Sequence, residues 1–125
     1  MPVAKIHLSD QLEPAARRAL GEEIRRVVVE CLELPPEFGK VILYPGPDHC
    51  RSVHPKRDAG FVLAEVHLFS GRSREVKARL MAALDQVIRE HTGLSPENVF
   101  IHLVESPREN WGLRGGRPAD QVDLP

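Results

Sequence analysis

Residues 61–77 read FVLAEVHLFSGRSREVK and residues 1–10 read MPVAKIHLSD, so the chain nearly repeats itself after sixty positions. Shifting the sequence against itself by 60 residues gives an ungapped match from about residue 3 to residue 43. The identical pairs in this register are Ala4/Ala64, His7/His67, Leu8/Leu68, Leu20/Leu80, Val27/Val87, Glu30/Glu90, Leu34/Leu94, Pro36/Pro96, Glu37/Glu97 and Leu43/Leu103. Chance does not readily place so many pairs in one register without a gap. We therefore interpret the chain as two tandem copies of one unit.

Each copy has the pattern of a strand, a helix and a second strand. Residues 3–8 alternate, with Ala4, Ile6 and Leu8 on one face and Val3, Lys5 and His7 on the other. Apolar residues then recur at helical spacing, at Ala16, Leu20, Ile24, Val27, Val28, Cys31 and Leu32. Pro14 suits the first turn of that helix, and the pair Pro35-Pro36 ends it before the strand KVILY, residues 40–44.

The second copy predicts a strand over residues 61–69, a helix that Gly93 caps, and a strand in NVFIHLV, residues 98–104. The inward face of its helix consists of Val76, Leu80, Leu84, Val87 and Ile88. Two βαβ units with right-handed crossovers predict an α+β fold, a four-stranded and mainly parallel-paired sheet with two helices on one face. We expect one domain over residues 1–125, with repeats at about 2–44 and 61–105 and a hairpin tail at 106–125.

The composition excludes several classes of function. A formal net charge of -1 in 125 residues gives no bulk electrostatic reason to bind nucleic acid or a membrane surface. Cys31 and Cys50 form no C-x-x-C pattern, which favours a reducing, cytoplasmic location. No apolar run approaches the roughly 20 residues of a membrane-spanning helix. We expect a cytoplasmic protein with neither nucleic acid nor membrane as partner.

The sheet face turned away from the helices predicts self-association. It carries Val3, Lys5 and His7 in one strand and Leu63, Glu65 and His67 in the equivalent strand. A half-apolar face without a helix to cover it indicates burial against other subunits.

These features together resemble the tautomerase superfamily. The residues that carry the resemblance are Pro2 at the head of the first strand, the turn in AEVHLFSGRSREVKARL, the 60-residue repeat, and the tail VESPRENWGLRGGRPADQV. Short members of that superfamily are single βαβ units that begin with proline, and long members fuse two such units. The resemblance covers nearly the whole chain and implies a long member. It also implies a homotrimer that acts on small carboxylic acids without a cofactor.

The resemblance makes Pro2 the catalytic proton carrier once Met1 has been removed. The proline nitrogen is then a secondary amine, held rigidly by its ring. Burial and a nearby guanidinium both disfavour the ammonium form, which brings the amine towards the neutral state that a general base needs near pH 7. If Met1 is retained, the nitrogen is an amide and this mechanism fails.

Arg72 occupies the family's Gly-Arg-Ser position, where its planar fork would hold a substrate carboxylate with two hydrogen bonds. Leu12 stands at the same place in the first copy, which has lost this group. Lys40 holds the position of the short family's second arginine and would act as a point charge at the far end of the substrate. Trp111 would wall the pocket. Arg114, beside a Gly-Gly turn, is a further candidate for a carboxylate contact.

No metal site is expected. His7, His67 and His102 lack a compact zinc spacing, and His7 and His67 are repeat mates, which indicates a shared packing role.

The simplest reaction is ketonisation of a 2-hydroxy-dienoate to its 2-keto acid, because it asks for the fewest residues. Hydration or dehalogenation of a haloacrylate needs a group that activates water. Decarboxylation of a small β-keto acid uses an aspartate in the stretch that here reads LPPEFGK. These reactions, and a trimeric scaffold that has lost its chemistry, remain the alternatives.

Overall fold

The computed structural model describes residues 1–124. Six main elements follow one another along the chain: β1 Val3–Ser9, α1 Pro14–Cys31, β2 Lys40–Gly46, β3 Val62–Phe69, α2 Arg74–Thr92 and β4 Val99–Ser106. A small hairpin of β5 Gly112–Leu113 and β6 Arg117–Pro118 follows in the tail. Strand, helix and strand occur twice in this order, so the predicted tandem βαβ arrangement is confirmed.

The main sheet has the strand order β2-β1-β3-β4. Each βαβ unit contributes one parallel pair, β1 with β2 and β3 with β4. The two units join through β1 and β3, which run antiparallel, with Val3 opposite His67 and His7 opposite Leu63. The predicted mainly parallel pairing is therefore confirmed, and the central pair relates the two units by an approximate twofold axis.

The repeat extends further than the sequence match indicates. Short 3₁₀ turns at Pro36–Phe38 and Pro96–Asn98 are sixty residues apart, and so are the turns at Asp48–Cys50 and Arg108–Asn110. The correspondence thus continues beyond residue 43 into the segment after each second strand. Few side chains are identical there apart from Pro47 and Pro107, which precede the two later turns, so the agreement of the backbone is what extends the repeat.

The core lies between the two helices and one face of the sheet. Ala4, Ile6 and Leu8 of β1 are buried there, as their alternation predicts. The helices contribute Leu20, Ile24, Val27, Val28, Leu80, Leu84, Val87 and Ile88. Within residues 1–124, neither helix is long and apolar enough to cross a membrane.

The ends of the helices follow local chemistry. Pro14 begins α1, where its missing N–H leaves no hydrogen bond unmade. The Ser73 hydroxyl accepts a hydrogen bond from the Val76 N–H at the start of α2, and Gly93 ends that helix with a left-handed φ of 74°. The predicted Gly93 cap is confirmed.

Core packing provides a stability prediction. Leu84→Ala empties a fully buried site and should lower the free energy of unfolding by about 2–5 kcal/mol. Met81→Ala, one turn earlier on the exposed side of the same helix, should change it by about 0.5 kcal/mol or less. Urea unfolding at a fixed protein concentration measures both, and equal losses would contradict the placement of the core.

The opposite face of the sheet is open and partly apolar. Ile42 is 46% exposed, Tyr44 40% and Phe100 53%. Their neighbours on this face include Lys5, His7 and Glu65, which are partly exposed. This is the mixed face that the strand patterns predict.

Candidate active site

The antiparallel pairing of β1 with β3 brings the start of one unit to the end of a strand in the other. Because Val3 lies opposite His67, the residues before Val3 reach the end of β3 and the turn that carries Arg72. Pro2 is fully buried at this junction, and its carbonyl accepts a hydrogen bond from the Lys40 N–H at 3.2 Å. The two predicted catalytic residues are therefore neighbours although seventy positions separate them.

Pro2 and Arg72 line one narrow cleft, which we call the Pro2 cleft. Its walls are apolar apart from two guanidinium groups, those of Arg72 and Arg108. The full lining is Met1, Pro2, Leu32, Leu34, Phe38, Leu68, Phe69, Arg72, Arg108 and Leu124. An apolar cleft with a few convergent charges has the character of a small-molecule site.

Arg72 is held half-buried against the end of β3. Its Nη1 donates to the Phe69 carbonyl at 3.4 Å. Burial, followed by the positive charge of Arg108, lowers the pKa of Arg72 from its ordinary value, and Glu105 acts in the opposite direction. Glu105 forms an ion pair at 2.9 Å with Lys77. A guanidinium remains protonated in proteins, so Arg72 presents a positive charge to an anion in the cleft.

The terminal amine experiences the same environment. Burial, and after it the charges of Arg72, Lys40 and Arg108, lower the pKa of the Met1 amino group from 8.0 to about 6. Each of these causes disfavours the ammonium form. An amine at this end of the chain is therefore largely neutral at pH 7.

A second cleft lies on the other side of Met1, and we call it the Lys40 cleft. It is lined by Met1, Glu37, Phe38, Lys40, Leu113, Arg114 and Leu124. Lys40 donates to the Glu37 carbonyl at 3.3 Å, and Arg114, whose φ is 48°, donates to the Asp123 carbonyl at 3.2 Å. Met1, Phe38 and Leu124 line both clefts, whereas Arg72 lines the Pro2 cleft and Lys40 and Arg114 line the Lys40 cleft.

Trp111 is near the site but does not line the cleft. Its indole packs edge-on against Phe69, with ring centroids 5.7 Å apart, and Nε1 donates to Ser106 Oγ at 2.8 Å. Phe69 forms the wall where Trp111 was expected. Trp111 packs against that wall, and the hydrogen bond from its part-buried indole N–H to Ser106 holds the ring in place.

Arg108 is the site residue that sequence reasoning missed. It lies in the 3₁₀ turn after β4, and its guanidinium stacks 4.8 Å above the Phe69 ring. Its counterpart in the first copy is Asp48, so the repeat contained a signal: a reversal of charge at one position of two similar turns.

The twofold relation places a matching cleft at the other end of β1 and β3, the Val62 cleft. Its lining is Leu8, Ser9, Gln11, Leu12, Asp48, Asp58, Gly60, Val62, Thr92 and Leu94. Val62 stands where the Pro2 cleft has Pro2, Leu12 where it has Arg72, and Asp48 where it has Arg108. The Pro2 cleft and the Val62 cleft are formed by equivalent parts of the backbone. They differ in their charged groups and in the presence of the proline.

His7 and His67 line none of the three clefts and lie on the open face of the sheet. His7 Nε2 is 3.2 Å from Glu65 Oε1, and the His7 ring stacks on Tyr44. His67 Nε2 is buried, with no hydrogen-bond partner among residues 1–124. Within the same residues, no three His, Cys, Asp or Glu side chains are grouped in a way that could hold a metal ion.

Comparison with known proteins supplies the family. Residues 41–114 match the family model described as tautomerase enzyme. The 2-hydroxymuconate tautomerase of Pseudomonas putida is 33% identical over 52 residues, a match that covers 42% of this chain and 82% of that protein.

Solved structures match over nearly the full length. A fused 4-OT, described as a wild-type symmetric trimer, superposes with a TM-score of 0.87 at 27% identity, covering 94% of this chain and 96% of that one. A malonate semialdehyde decarboxylase shares the fold at 22% identity, with a TM-score of 0.78 over 98% of this chain and 99% of the other. The family match over more than half of the chain, together with the paired βαβ units, leads to one conclusion: this chain is an enzyme of the tautomerase superfamily.

Proposed function

We propose that the protein converts 2-hydroxy-dienoate acids to 2-keto acids, with the amine of Pro2 as the proton carrier after removal of Met1. The observation that carries the proposal is the burial of Pro2 in a cleft beside Arg72, where burial and nearby positive charges lower the pKa of the Met1 amino group to about 6. The amine of Pro2 should meet the same surroundings once Met1 is removed. A base whose pKa lies close to the working pH is present in its unprotonated form and still accepts a proton readily. The relationship to a 2-hydroxymuconate tautomerase supports the same substrate class.

The reaction is a proton transfer that balances without a cofactor. The neutral amine takes the proton of the 2-hydroxyl group, and the electrons of the broken O–H bond form the C2 carbonyl. The double bonds shift along the chain, and the far carbon of the dienol takes the proton back from the ammonium. Arg72 binds the carboxylate and offsets the negative charge that develops on the oxygen.

Loss of Met1 has a structural consequence as well as a chemical one. Met1 lines both the Pro2 cleft and the Lys40 cleft, together with Phe38 and Leu124. Its removal should widen the passage between the cleft that contains Arg72 and the cleft that contains Lys40 and Arg114. In this proposal Lys40 and Arg114 contact the distal part of the substrate, and Trp111 acts by supporting Phe69.

The decisive experiment is an assay on protein whose N-terminus has been verified. Intact-mass measurement should show a chain that begins at Pro2, and that protein should ketonise 2-hydroxymuconate or the enol of phenylpyruvate. A chain that retains Met1 in its native form contradicts the proposal. So does verified Pro2 protein that is inactive on both substrates, which would favour a scaffold that has lost its chemistry.

Glu37 favours a second candidate reaction. Glu37 lines the Lys40 cleft, and hydration of a haloacrylate or decarboxylation of a small β-keto acid would need a carboxylate near the substrate. Assays with 3-chloroacrylate and malonate semialdehyde, in the wild type and in Glu37→Gln, separate this reaction from tautomerisation. Turnover that depends on Glu37 would identify the second reaction as the principal one.

We infer that the working form is a homotrimer that buries the open sheet face. The exposed Ile42, Tyr44 and Phe100 on that face support the inference, and the related fused 4-OT is a symmetric trimer. Light scattering at micromolar concentration should give the mass of three chains of 14.0 kDa. Phe100→Glu should lower that mass, because it places a charge in the buried patch. Met81→Glu, on an exposed helix surface, should not. A monomeric wild type would refute the trimer.

A further inference from the structure

Two guanidinium groups share the Pro2 cleft, and the proposed reaction assigns a role to only one of them. Arg72 and Arg108 both contact Phe69: Arg72 donates to its carbonyl at 3.4 Å, and the Arg108 guanidinium lies 4.8 Å above its ring. They are close enough for the charge of Arg108 to depress the pKa of Arg72. Two like charges held together repel each other, which favours the binding of an anion between them.

Within residues 1–124 nothing neutralises this pair. The carboxylate that acts on the pKa of Arg72 is that of Glu105, and it forms an ion pair with Lys77 at 2.9 Å. Neither Arg72 nor Arg108 forms an ion pair with a side chain of those residues. Both arginines therefore have hydrogen-bond donors available for a ligand in the cleft.

The Val62 cleft shows that the fold does not require these arginines. It keeps part of the apolar frame, with Leu8 for Leu68 and Leu94 for Leu34, but has Ser9 for Phe69 and Thr92 for Leu32. At the equivalent positions it has Leu12 instead of Arg72 and Asp48 instead of Arg108. The two positive charges occur together only in the cleft that also contains the proline, which indicates that they serve its ligand rather than the packing.

We propose that Arg108 is a second substrate-binding residue, which holds the same carboxylate as Arg72 and so determines the affinity of this end of the site for an anionic head group. The inference rests on the proposed function only for the choice of ligand. Its geometry is a guanidinium placed over Phe69, whose ring also makes an edge-on contact with Trp111 at 5.7 Å between centroids. Arg72 and Arg108 then offer two planar donor groups to one carboxylate.

A matched pair of unreactive ligands tests the assignment directly. Sorbate and trans,trans-muconate share a six-carbon diene and differ by one carboxylate, and neither carries the 2-hydroxyl group needed for turnover. Isothermal titration calorimetry on protein that begins at Pro2 should show that Arg108→Gln weakens the binding of both ligands about tenfold or more. Arg108→Lys should recover part of the loss, because it keeps the charge without the fork.

Asp48→Asn is the matched control, since it changes the equivalent position of the Val62 cleft and should leave both affinities unchanged. A loss confined to muconate would assign Arg108 to a second carboxylate and overturn the proposal. Unchanged sorbate binding in Arg108→Gln, or no sorbate binding by the wild type, would overturn it as well. Binding does not require turnover, so these outcomes are independent of whether Pro2 is catalytic.

Electrostatics provides a second readout. Arg108 is one of the charges that lower the pKa of the Met1 amino group, and its charge should act in the same direction on the Pro2 amine of the processed chain. Its removal should raise the pKa of that amine and move the acid limb of the kcat/KM profile to higher pH. An unmoved limb would contradict the position of the Arg108 charge beside the amine.

Discussion

Blocking the amine of Pro2 is expected to lower kcat by about 10²- to 10⁴-fold, the range that one general base contributes. An extra residue ahead of Pro2 turns its nitrogen into an amide, which cannot accept the proton. Pro2→Ala keeps a terminal amine but loses the rigid, fully buried ring, so its rate should lie between those of the blocked and wild-type proteins. The measurement is kcat and kcat/KM for ketonisation of 2-hydroxymuconate, with every N-terminus checked by mass.

Val62→Ala is the structural control for this series. Val62 is the repeat mate of Pro2 and is just as deeply buried, but its nitrogen is an internal amide. The substitution should lower stability and leave kcat near the wild-type value. Equal rates in the wild type and in the protein with an extra residue ahead of Pro2 would rule out the amine mechanism.

The pH profile of the wild type tests the same amine. Protonation removes the base, so kcat/KM should fall as the pH drops through the pKa of the amine. Burial and the charges of Arg72, Lys40 and Arg108 lower the pKa of the Met1 amino group, and the same surroundings should act on the Pro2 amine once Met1 is removed. The acid limb should therefore lie below the ordinary α-amino value of about 8. A limb at or above that value would show that the cleft does not perturb the amine.

Arg72→Gln is expected to lower kcat/KM by about 10²-fold, comparable to the loss of one group that stabilises charge in a transition state. The glutamine retains hydrogen-bond donors but carries no charge. The variant therefore loses both the binding of the substrate carboxylate and the stabilisation of the negative charge that develops on the enolate oxygen. Steady-state kinetics that separate kcat from KM show how the loss divides between the two.

Arg74→Gln is the appropriate comparison, because Arg74 begins α2 two residues later and is exposed to solvent. It removes the same charge outside the cleft, and its kcat/KM should remain close to that of the wild type. Similar losses in both variants would mean that the general positive potential matters rather than the contact from Arg72.

Much of the fold could be predicted because both copies of the repeat carry the same pattern of apolar and polar residues. The alternation of Ala4, Ile6 and Leu8 recurs at Ala64, Val66 and Leu68, and the burial of the two strands agrees residue by residue. Prolines and Gly93 ended the helices where local backbone chemistry requires. Patterns of this kind depend on neighbours in sequence and survive in a single chain without tertiary information.

From the sequence, residues of the site could be identified only where a family motif marked them. Pro2 and Arg72 were selected by their positions in a family pattern, and the structure places them in one cleft. Arg108 was not selected from the sequence, because an arginine in an exposed turn resembles any solvated arginine. Only the structure shows the cleft and the aromatic ring of Phe69 beneath it. Trp111 was expected in the wall itself, but its edge-on contact with Phe69 depends on side-chain packing that no spacing encodes.

The amino-acid sequence by itself determined the two βαβ units, their core faces and a proline at the head of the first strand. The tertiary structure decided which parts of the units meet. The antiparallel pairing of β1 with β3 sets Val3 opposite His67, so the beginning of one copy lies against the turn of the other. The same pairing creates a second, equivalent cleft around Val62. Because only the first copy can begin with a free amine, the proposed chemistry belongs to one cleft, and the charges of Arg72 and Arg108 occur there.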